Sequence, residues 1–444
     1  MANVDWGRYG RRPAMLLAGV AFIDAVDRSI LPGVLTRVQD DFGFSDFRAG
    51  LLSTAAVFAG FLVVLPSGYA ADRFKRTRVI ALVLASWGAI SAVNAAVQNY
   101  GQFLGVRAVL GAGETIDNPA SQSLMADYYA PEVRGRAFGL QRIAPIVGGP
   151  IGIGLGALVA KFFGWRAAFL IVGVPGSILA LTMSRMIEPR RGESDHPTAA
   201  DEDHSSPIET DRRGARALLA DVREVLRIKT VRSLMIGTAI AAGATQGLAF
   251  WAPAFYERHS TLGRDGGAGA AAGLILVGAL LGTWAGALAI DRLRDRYEGA
   301  PMLIAAVTTF VGGVLLWLTF FPVPLWFRLP VQVVGVAGIV AGLPGLTVML
   351  VEVVPPTMRG IAASVTGFLA ALVAAASPPV VGLLADQFKF NVNGELKGHV
   401  ANAFLIVTPL VWVAAVVVWR GRRYVTADID RATASRGSTV TDPR

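Results

Sequence analysis

The sequence predicts an all-α, polytopic membrane protein with twelve transmembrane helices in two pseudo-symmetric six-helix bundles. Three observations support this prediction. The 444 residues are 53% hydrophobic and only 16% charged, whereas soluble chains are about one quarter charged. Apolar runs of about twenty residues, the length that a bilayer core requires, recur along the whole chain. A turn motif also appears at corresponding positions in the two halves, which indicates an internal repeat.

The twelve predicted spans are the successive apolar runs, which are crowded with alanine and with many of the 50 glycines. Small residues of this kind favour close helix contacts in lipid. The first run is too long for a signal peptide and has no small-residue cleavage site after it, so we expect a retained helix. The predicted spans are 13–36, 47–70, 78–98, 101–126, 137–160, 166–187, 231–256, 268–290, 301–321, 329–353, 361–386 and 400–420.

The spans divide the chain into four regions. These are an N-terminal six-helix bundle (1–190), a partly disordered cytoplasmic linker (191–230), a C-terminal six-helix bundle (231–420) and a cytoplasmic tail (421–444). The stretch 188–210 is polar and proline-rich and is predicted to be disordered because it cannot bury apolar surface. The stretch 215–230 has apolar residues at helical spacing, which predicts a helix on the membrane surface.

The distribution of basic residues predicts the orientation. Most of the 41 Lys and Arg residues fall on the side that holds both termini, and basic loops mark the cytoplasmic face. We therefore expect a multi-pass protein of the cell (inner or plasma) membrane with both termini in the cytoplasm. This asymmetry accounts for the net charge of +9 without nucleic-acid binding.

The turn motif relates the two halves. The segment ADYYAPEVRGRA (126–137) follows the fourth span and VEVVPPTMRGIA (351–362) follows the tenth, so that Arg134 and Arg359 occupy equivalent places. GYAADRFKR (68–76) and ALAIDRLRDR (287–296) form a weaker match after the second and eighth spans. Duplicated six-helix halves are typical of transporters that rock about a central site near the membrane midplane.

Charged side chains are concentrated in three spans of the first half. A charge at the bilayer centre costs at least ~3 kcal/mol, so such groups are paired, face inward and are usually functional. Static salt bridges between helices are the alternative, but seven ionisable groups exceed what anchoring needs. An excess of one carboxylate over the guanidinium groups also favours a site that takes up a proton. The seven residues are Asp24, Asp27, Arg28, Arg107, Glu114, Asp117 and Arg142.

Helical spacing groups these residues. Asp24 and Arg28 are four residues apart, with Asp27 on the same side of the first span. In the fourth span Arg107 and Glu114 share a face, and Asp117 lies one turn further on. Arg142 lies just inside the fifth span, whereas the spans of the second half carry charges only near their ends.

The stretch GYAADRFKR resembles the loop 2–3 signature of the major facilitator superfamily, through Gly68, Asp72, Arg73 and Arg76. Within that superfamily, roughly the first 190 residues resemble the Spinster family. The segments that carry this second resemblance are DRSILPGVL (27–35), DFGFSDFRAGLL (41–52), RAVLGAGE (107–114), ADYYAPEVRGRA (126–137) and EPRRG (188–192).

The resemblance implies the major facilitator fold and proton-coupled transport, by alternating access, of amphipathic lipids such as lysophospholipids or sphingosine phosphate. The residues that match the family's membrane-embedded polar positions are Asp27, Arg28, Arg107 and Glu114. Asp117 and Arg142 depart from the family, because its members have uncharged residues there. We expect Asp27 and Glu114 to couple protons, with Asp24 and Asp117 as alternates. Substrate binding is assigned to Arg28, Arg107 and Arg142.

The same resemblance implies a cytoplasmic gate, in which Asp72 lies against the start of the eleventh span. Arg73 or Arg76 is then expected to meet Asp127. The residues predicted for this gate are Gly68, Asp72, Arg73, Arg76, Asp127, Arg134 and Arg359.

Other functions remain as alternatives. A symporter of small organic anions such as sugar acids is the closest competitor, followed by a drug or metabolite exporter and by a receptor on the same fold. We predict no enzyme, because the spans hold no histidine or cysteine for a nucleophile–base pair, and neither a cofactor nor a metal, because the four histidines lack ligand spacing. GGPIGIGLG (148–156) indicates close helix packing, not a dinucleotide loop. The expected partners are an amphipathic or anionic small molecule, protons and the bilayer; we expect no nucleic acid and a monomeric chain.

Overall fold

The computed structural model describes residues 6–194, 215–293, 297–355, 358–392 and 394–431, except for the side chains at 65, 70–72 and 215–218. The chain is predominantly helical, as predicted. The helices are α1 (Arg12–Phe42), α2 (Asp46–Arg73), α3 (Arg76–Ala96), α4 (Tyr100–Tyr128), α5 (Pro131–Phe163), α6 (Trp165–Ser184), α7 (Ala215–Arg227), α8 (Lys229–His259), α9 (Gly263–Leu293), α10 (Ala300–Thr319), α11 (Leu325–Ala341), α12 (Leu343–Val353), α13 (Arg359–Gln387), α14 (Val400–Val407) and α15 (Pro409–Gly421), with strands β1 (Lys389–Val392) and β2 (Glu395–Gly398).

The predicted transmembrane spans are present. Within the described residues, ten segments are long and apolar enough to cross a membrane. The other two long helices, α1 with 31 residues and α4 with 29, hold the predicted intramembrane charges. The tenth and twelfth spans are each built from two consecutive helices, α11 with α12 and α14 with α15.

The chain forms two compact units. Unit 1 takes in the described residues of Met1–Ser205 and Ala252–Ala272, and unit 2 those of Ser206–Trp251 and Gly273–Arg444. The end of α8 and the start of α9 therefore belong to unit 1, although most of both helices belongs to unit 2.

Three helix pairs form the body of unit 1, in which α1 packs on α5, α2 on α4 and α3 on α6. Glycine permits this close approach. A Cβ atom on Gly152 would lie 2.3 Å from the carbonyl oxygen of Val26, and one on Gly111 would lie 2.2 Å from that of Ala56. The interpretation of GGPIGIGLG as a packing motif is thereby confirmed. α1 and α4 also contact each other, which brings their polar residues together.

Unit 2 is packed in the same way and is poorer in charge. α10 contacts α11 and α15, and α13 contacts α14. Glycine again lies at the crossings: a Cβ atom on Gly282 of α9 would be 2.3 Å from the carbonyl oxygen of Ala337 on α11. The buried charged side chains described in this unit, Arg328 and Asp428, lie near the ends of spans.

The linker helix α7 packs against the protein. Val225 is fully buried in a cluster with Val231, Val353 and Ala362, at the ends of α8, α12 and α13. The predicted helix is present, and the packing of Val225 against the ends of three other helices was not predicted; the location of this helix on the membrane surface stays a prediction. The tail is fixed nearby, since Asp428 accepts hydrogen bonds from the Thr230 backbone nitrogen (2.9 Å) and hydroxyl (2.8 Å).

Two further features differ from the sequence-based expectation. The prediction of disorder from residue 188 is wrong for 188–194, which hydrogen bonds across one end of unit 1: the Gly192 nitrogen and the Ser194 hydroxyl donate to Asp127. The rest of the predicted disordered stretch lies outside the described residues. The β1–β2 hairpin between α13 and α14 was not predicted; its register pairs Lys389 with Gly398.

Candidate substrate and proton site

Arg28 lies between two carboxylates in unit 1. Its Nε–H donates to Oδ1 of Asp24, one turn earlier on α1, at 2.9 Å. The same Nε atom is 2.8 Å from Oε2 of Glu114 on α4, and the Glu114 side chain is only 5% exposed. A buried charge is tolerated when an opposite charge contacts it, so Arg28 stabilises the ionised form of Glu114. Because Arg28 is about half exposed, it is also accessible to a ligand.

Asp27 occupies a second, more enclosed position on α1. It is 4% exposed, and its Oδ1 atom accepts a hydrogen bond from the Ser91 hydroxyl on α3 at 3.1 Å. Its Oδ2 atom is buried without a hydrogen-bond partner among the described residues. A carboxylate with half of its acceptor capacity unsatisfied is poorly stabilised in its charged form.

Arg107 on α4 provides the main electrostatic attraction on Asp27, ahead of Arg28. The Arg107 side chain is 3% exposed, and its Nε and Nη1 atoms are buried with no hydrogen-bond partner in the described part of the chain. An unsatisfied buried guanidinium is costly. It is therefore a strong candidate to receive an oxyanion from outside the protein.

The two remaining candidates are placed differently. Asp117 is buried on α4 and interacts electrostatically with Arg28 and Glu114, although no ion pair joins it to a described cation. Arg142 on α5 is exposed and makes no ion pair within the described residues. The structure thus brings six of the seven predicted residues into one electrostatic cluster and leaves Arg142 apart. We call this cluster the polar site: Asp24, Asp27, Arg28, Arg107, Glu114 and Asp117.

One end of unit 1, which we call the Arg76 end, carries a buried ion-pair network. Arg76 is 1% exposed and contacts Asp127 at the end of α4 and, at 2.9 Å, Glu188 after α6. Partial burial alone would raise the pKa of Glu188, but hydrogen bonds from the Thr77 backbone and the Arg76 side chain outweigh it and hold the pKa below its usual range. The network fixes the start of α3 against the ends of α4 and α6.

The repeated turn motif has the same contact in both halves. The Arg134 side chain donates to the carbonyl oxygen of Ala126 at 2.9 Å, and Arg359 donates to that of Val351 at 3.0 Å. Ala126 and Val351 occupy equivalent positions of the repeat. In each half a guanidinium satisfies a carbonyl at a helix C-terminus, where cations are favoured.

The other residues predicted for the gate have no role that the structure defines. Arg73 is exposed and donates to the Tyr69 hydroxyl at 2.9 Å. A Cβ atom on Gly68 would meet no other atom of the described residues within 4 Å. The side chain of Asp72 lies outside the described residues.

The opposite end of unit 1, the Arg258 end, holds an ion pair that sequence reasoning missed. Two nitrogens of Arg258 on α8 lie 2.6 and 2.9 Å from the two carboxylate oxygens of Asp46 on α2, and both side chains are 3% exposed. Gln39 on α1 donates to the same carboxylate at 2.8 Å. Both residues lie just outside the predicted spans 47–70 and 231–256, so no helical spacing indicated the pair.

Neighbouring contacts extend this network. Arg264 at the start of α9 lies 2.6 Å from Asp40 and 2.9 Å from Glu257. Arg37 on α1 contacts Asp265. At the Arg258 end, several ion pairs therefore join α1 and α2 to the end of α8 and the start of α9.

Histidines take no part in a metal centre within the described residues, where no group of three or more His, Asp or Glu side chains is suitably placed. His399 has a structural role. Its Nδ1 atom accepts from the Asn402 nitrogen at 3.2 Å and so caps α14, and burial lowers its pKa.

The comparisons with known proteins agree with this geometry. The Major Facilitator Superfamily pattern matches residues 17–378. The chain belongs to this superfamily, whose members are membrane transporters and not enzymes.

Several relatives are Spinster proteins. The chain is 26% identical over 315 residues to "Protein spinster" of Drosophila melanogaster. The aligned region makes up 68% of this chain and 49% of that protein. It is 27% identical over 223 residues to the probable L-galactonate transporter of Escherichia coli, and the aligned region makes up 50% of this chain and 49% of that transporter. These matches span about half the length of both relatives. An MFS-type efflux pump of Mycolicibacterium smegmatis is 25% identical over 93% of each chain.

Among solved structures, a bacterial homologue of the human lysosomal transporter Spinster, in an inward-facing and unoccupied conformation, matches with a TM-score of 0.80. The match covers 95% of this chain and 98% of that chain at 21% identity. This likeness shows the shared fold and, together with the superfamily match, confirms the predicted fold class of twelve helices. The Spinster relationship predicted from the first 190 residues is also confirmed.

Proposed function

We propose that the protein is a proton-coupled secondary transporter of an amphipathic anion, such as a lysophospholipid, and that it works by alternating access. One observation carries the proposal. The polar site combines a guanidinium that is shared by two carboxylates, Arg28, with a buried guanidinium, Arg107, two of whose nitrogens have no hydrogen-bond partner among the described residues. Such a site can bind an oxyanion and can exchange a proton when it does.

The exchange follows from competition for Arg28. When an anionic head group approaches, the exposed Arg28 turns towards it and its 2.8 Å contact with Glu114 is lost. Glu114 is then a buried carboxylate without a counter-ion, and burial favours its protonated form. After the substrate leaves, Arg28 returns to Glu114 and the proton is released. Asp27 acts in the same way with Arg107, and Asp24 and Asp117 are alternates.

The amphipathic nature of the substrate is inferred from the contrast between the two halves. Unit 1 contributes the guanidinium groups of Arg28 and Arg107, whose planar fork fits a phosphate or carboxylate. The spans of the second half are almost free of charge in their interiors. A ligand with one anionic end and one apolar end matches this division better than a small hydrophilic anion, which normally needs polar partners from both halves.

We assign the Arg76 end to the cytoplasmic face of a cell membrane, with both termini inside, because basic residues concentrate in the loops on this side. The predicted gate then consists of the Arg76–Asp127 pair, the two capping arginines Arg134 and Arg359, and Asp72 with its flanking loop. Neutralising Asp72 should alter the balance of inward- and outward-facing states. A protein with Asp72→Asn that transports at the wild-type rate with unchanged populations would contradict this gate.

A small organic anion is the second candidate substrate class, because one relative is a probable L-galactonate transporter. An exported drug or metabolite is the third, because another relative is an efflux pump. The three classes differ in the length of their apolar part, which makes them separable by one assay.

The test is transport by the purified protein in proteoliposomes, with and without an imposed pH gradient. The panel contains lysophospholipids of different head-group charge, sugar acids of the galactonate type and cationic dyes. The proposal predicts movement of anionic lysophospholipids that is stimulated by the gradient, with zwitterionic ones moving more slowly. Preference for a sugar acid over every lysophospholipid would contradict the substrate assignment, and gradient-independent transport would contradict the coupling. Protein-free vesicles and the Arg28→Gln, Arg107→Gln double variant are the controls.

A further inference from the structure

Ser91 on α3 contacts two hydrogen-bond acceptors on two other helices. Its Oγ atom is 3.1 Å from Oδ1 of Asp27 on α1 and 3.0 Å from the carbonyl oxygen of Phe169 on α6. All three residues are buried, with exposures of 3%, 4% and 0%. No sequence motif drew attention to this serine.

The number of hydrogens decides what these contacts can be. A serine hydroxyl has one hydrogen to donate and lone pairs that accept. An ionised Asp27 and the Phe169 carbonyl are both acceptors, so the one Ser91 hydrogen either makes a linear hydrogen bond to one of them or is shared between them in two weaker bonds. Both contacts are full, linear hydrogen bonds only when Asp27 carries a proton on Oδ1. In that state Asp27 donates to Ser91 Oγ, and Ser91 donates to the carbonyl of Phe169.

We propose, on the basis of the proposed function, that Ser91 is a positioning residue for the proton at Asp27. Its hydroxyl donates to the ionised carboxylate and accepts from the protonated acid, and it turns from α1 towards α6 when the proton arrives. An O–H bond forms at Oδ1 with a proton from the imposed gradient. Ser91 keeps its own hydrogen throughout, so no bond of the serine is broken.

Among the described groups around Asp27, Ser91 is the one that can position its proton by hydrogen bonding. The charged groups that act on Asp27 are Arg107 on α4, Arg28 on its own helix, and the carboxylates Asp24 and Glu114. None of them hydrogen bonds to Asp27 within the described chain, and the Ser91 hydroxyl is the one described donor to it. α5 packs extensively on α1 and meets it next to Asp27 through Gly148 and Gly152.

The rotation has a consequence for the helices. With Asp27 ionised, Ser91 holds α3 to α1, and the Phe169 carbonyl keeps only its bonds within α6. With Asp27 protonated, a continuous chain of hydrogen bonds connects α1, α3 and α6. The protonation state of one carboxyl group is therefore transmitted to the contact between three helices.

Infrared difference spectroscopy of the purified wild-type protein, recorded during acidification, is the test. The carbonyl stretch of protonated Asp27 is identified as the band that Asp27→Asn removes. In Ser91→Ala this band should move to higher frequency, because the acid loses its acceptor, and Ser91→Thr should keep the wild-type position. Ser86→Ala is the matched control, since Ser86 lies on the same helix and its one hydrogen bond within the described residues goes to the Val83 carbonyl.

Transport provides the second readout. In Ser91→Ala the pH midpoint of transport should move up by about 0.5 to 1 unit, because the ionised carboxylate loses a charge-assisted donor. Combining Ser91→Ala with Asp27→Asn should add nothing to the single Asp27 change. An Asp27 band that is absent, or unchanged in Ser91→Ala, would overturn the inference. If wild-type transport is not stimulated by the pH gradient, the proposed function is contradicted. The infrared spectra test the role of Ser91 independently of that result.

Discussion

The Nε atom of Arg28 lies 2.8 Å from Oε2 of Glu114, so a guanidinium of α1 neutralises a buried carboxylate of α4. The single Nε–H of Arg28 is already donated to Asp24. The contact with Glu114 is therefore ionic and not a second hydrogen bond through this atom. The proposed coupling depends on the exchange of this contact for one between Arg28 and an anionic ligand.

Arg107→Gln should weaken the binding of an anionic lysophospholipid about 10- to 100-fold, because hydrogen bonds to a charged partner contribute about 1.5–3 kcal/mol. Isothermal titration of the purified protein measures this affinity. Arg142→Gln is the matched control: Arg142 is exposed and outside the polar site, so its replacement should change the affinity less than about threefold, under 1 kcal/mol. Equal losses in the two variants would contradict the assignment of Arg107 as the principal anion-binding group.

Glu188 should make the Arg76 end sensitive to acid. Its folded-state pKa lies below the ordinary value of 4.5. The stability that it contributes is therefore present above about pH 4.5 and is lost as the pH falls through the folded-state pKa. Glu188→Gln should lower the thermal midpoint at pH 7 by a few degrees, roughly what the loss of 1–2 kcal/mol produces, and should remove part of the decline at acid pH. Thermal scans between pH 3 and pH 8 measure both effects. Glu132 is exposed, so Glu132→Gln should change neither the thermal midpoint at pH 7 nor its decline at acid pH. If the thermal midpoint falls equally with acid in the wild type and in Glu188→Gln, Glu188 is not the titrating group.

Arg258→Gln should release the α8–α9 hairpin from α1 and α2. Breaking a buried ion pair at one partner costs about 3–5 kcal/mol, and here it leaves Asp46 at 3% exposure. The chain has no cysteine, so a single Ala268→Cys, at a buried position of the hairpin, reports the release by maleimide labelling. Labelling should accelerate at least tenfold in Arg258→Gln. The exchange of charges, Asp46→Arg with Arg258→Asp, should slow it again. Unchanged labelling would mean that this ion pair does not hold the hairpin.

The sequence was sufficient for the parts of the site that depend on helical periodicity. The spacing of Asp24 and Arg28 placed them in contact, and the seven-residue spacing of Arg107 and Glu114 placed both in the cluster on α4. Contacts between different helices do not follow a regular spacing in the sequence. Ser91 is an isolated serine in an apolar helix, and Arg258 and Asp46 lie 212 residues apart, so only the folded chain shows their partners.

Composition was a weaker guide than periodicity. The segment after α6 is polar enough to predict disorder, yet Glu188 and Gly192 find charged partners at the ends of α3 and α4. The apolar spacing of the linker helix predicted a helix but not its protein partners, and Val225 packs against the ends of α8, α12 and α13. In both segments the outcome depends on what the rest of the chain offers nearby.

Substrate exchange and net uptake by Asp27→Asn and Glu114→Gln, compared in the same proteoliposomes, test the central claim most directly. Exchange of labelled substrate at equal pH requires binding and alternating access but no net proton movement, whereas uptake driven by a pH gradient requires a group that is protonated and deprotonated in each cycle. We predict that both variants fold, exchange substrate at close to the wild-type rate and lose the stimulation by the gradient. Stimulation equal to that of the wild-type protein in both variants would contradict the assignment of Asp27 and Glu114 as the proton-coupling pair.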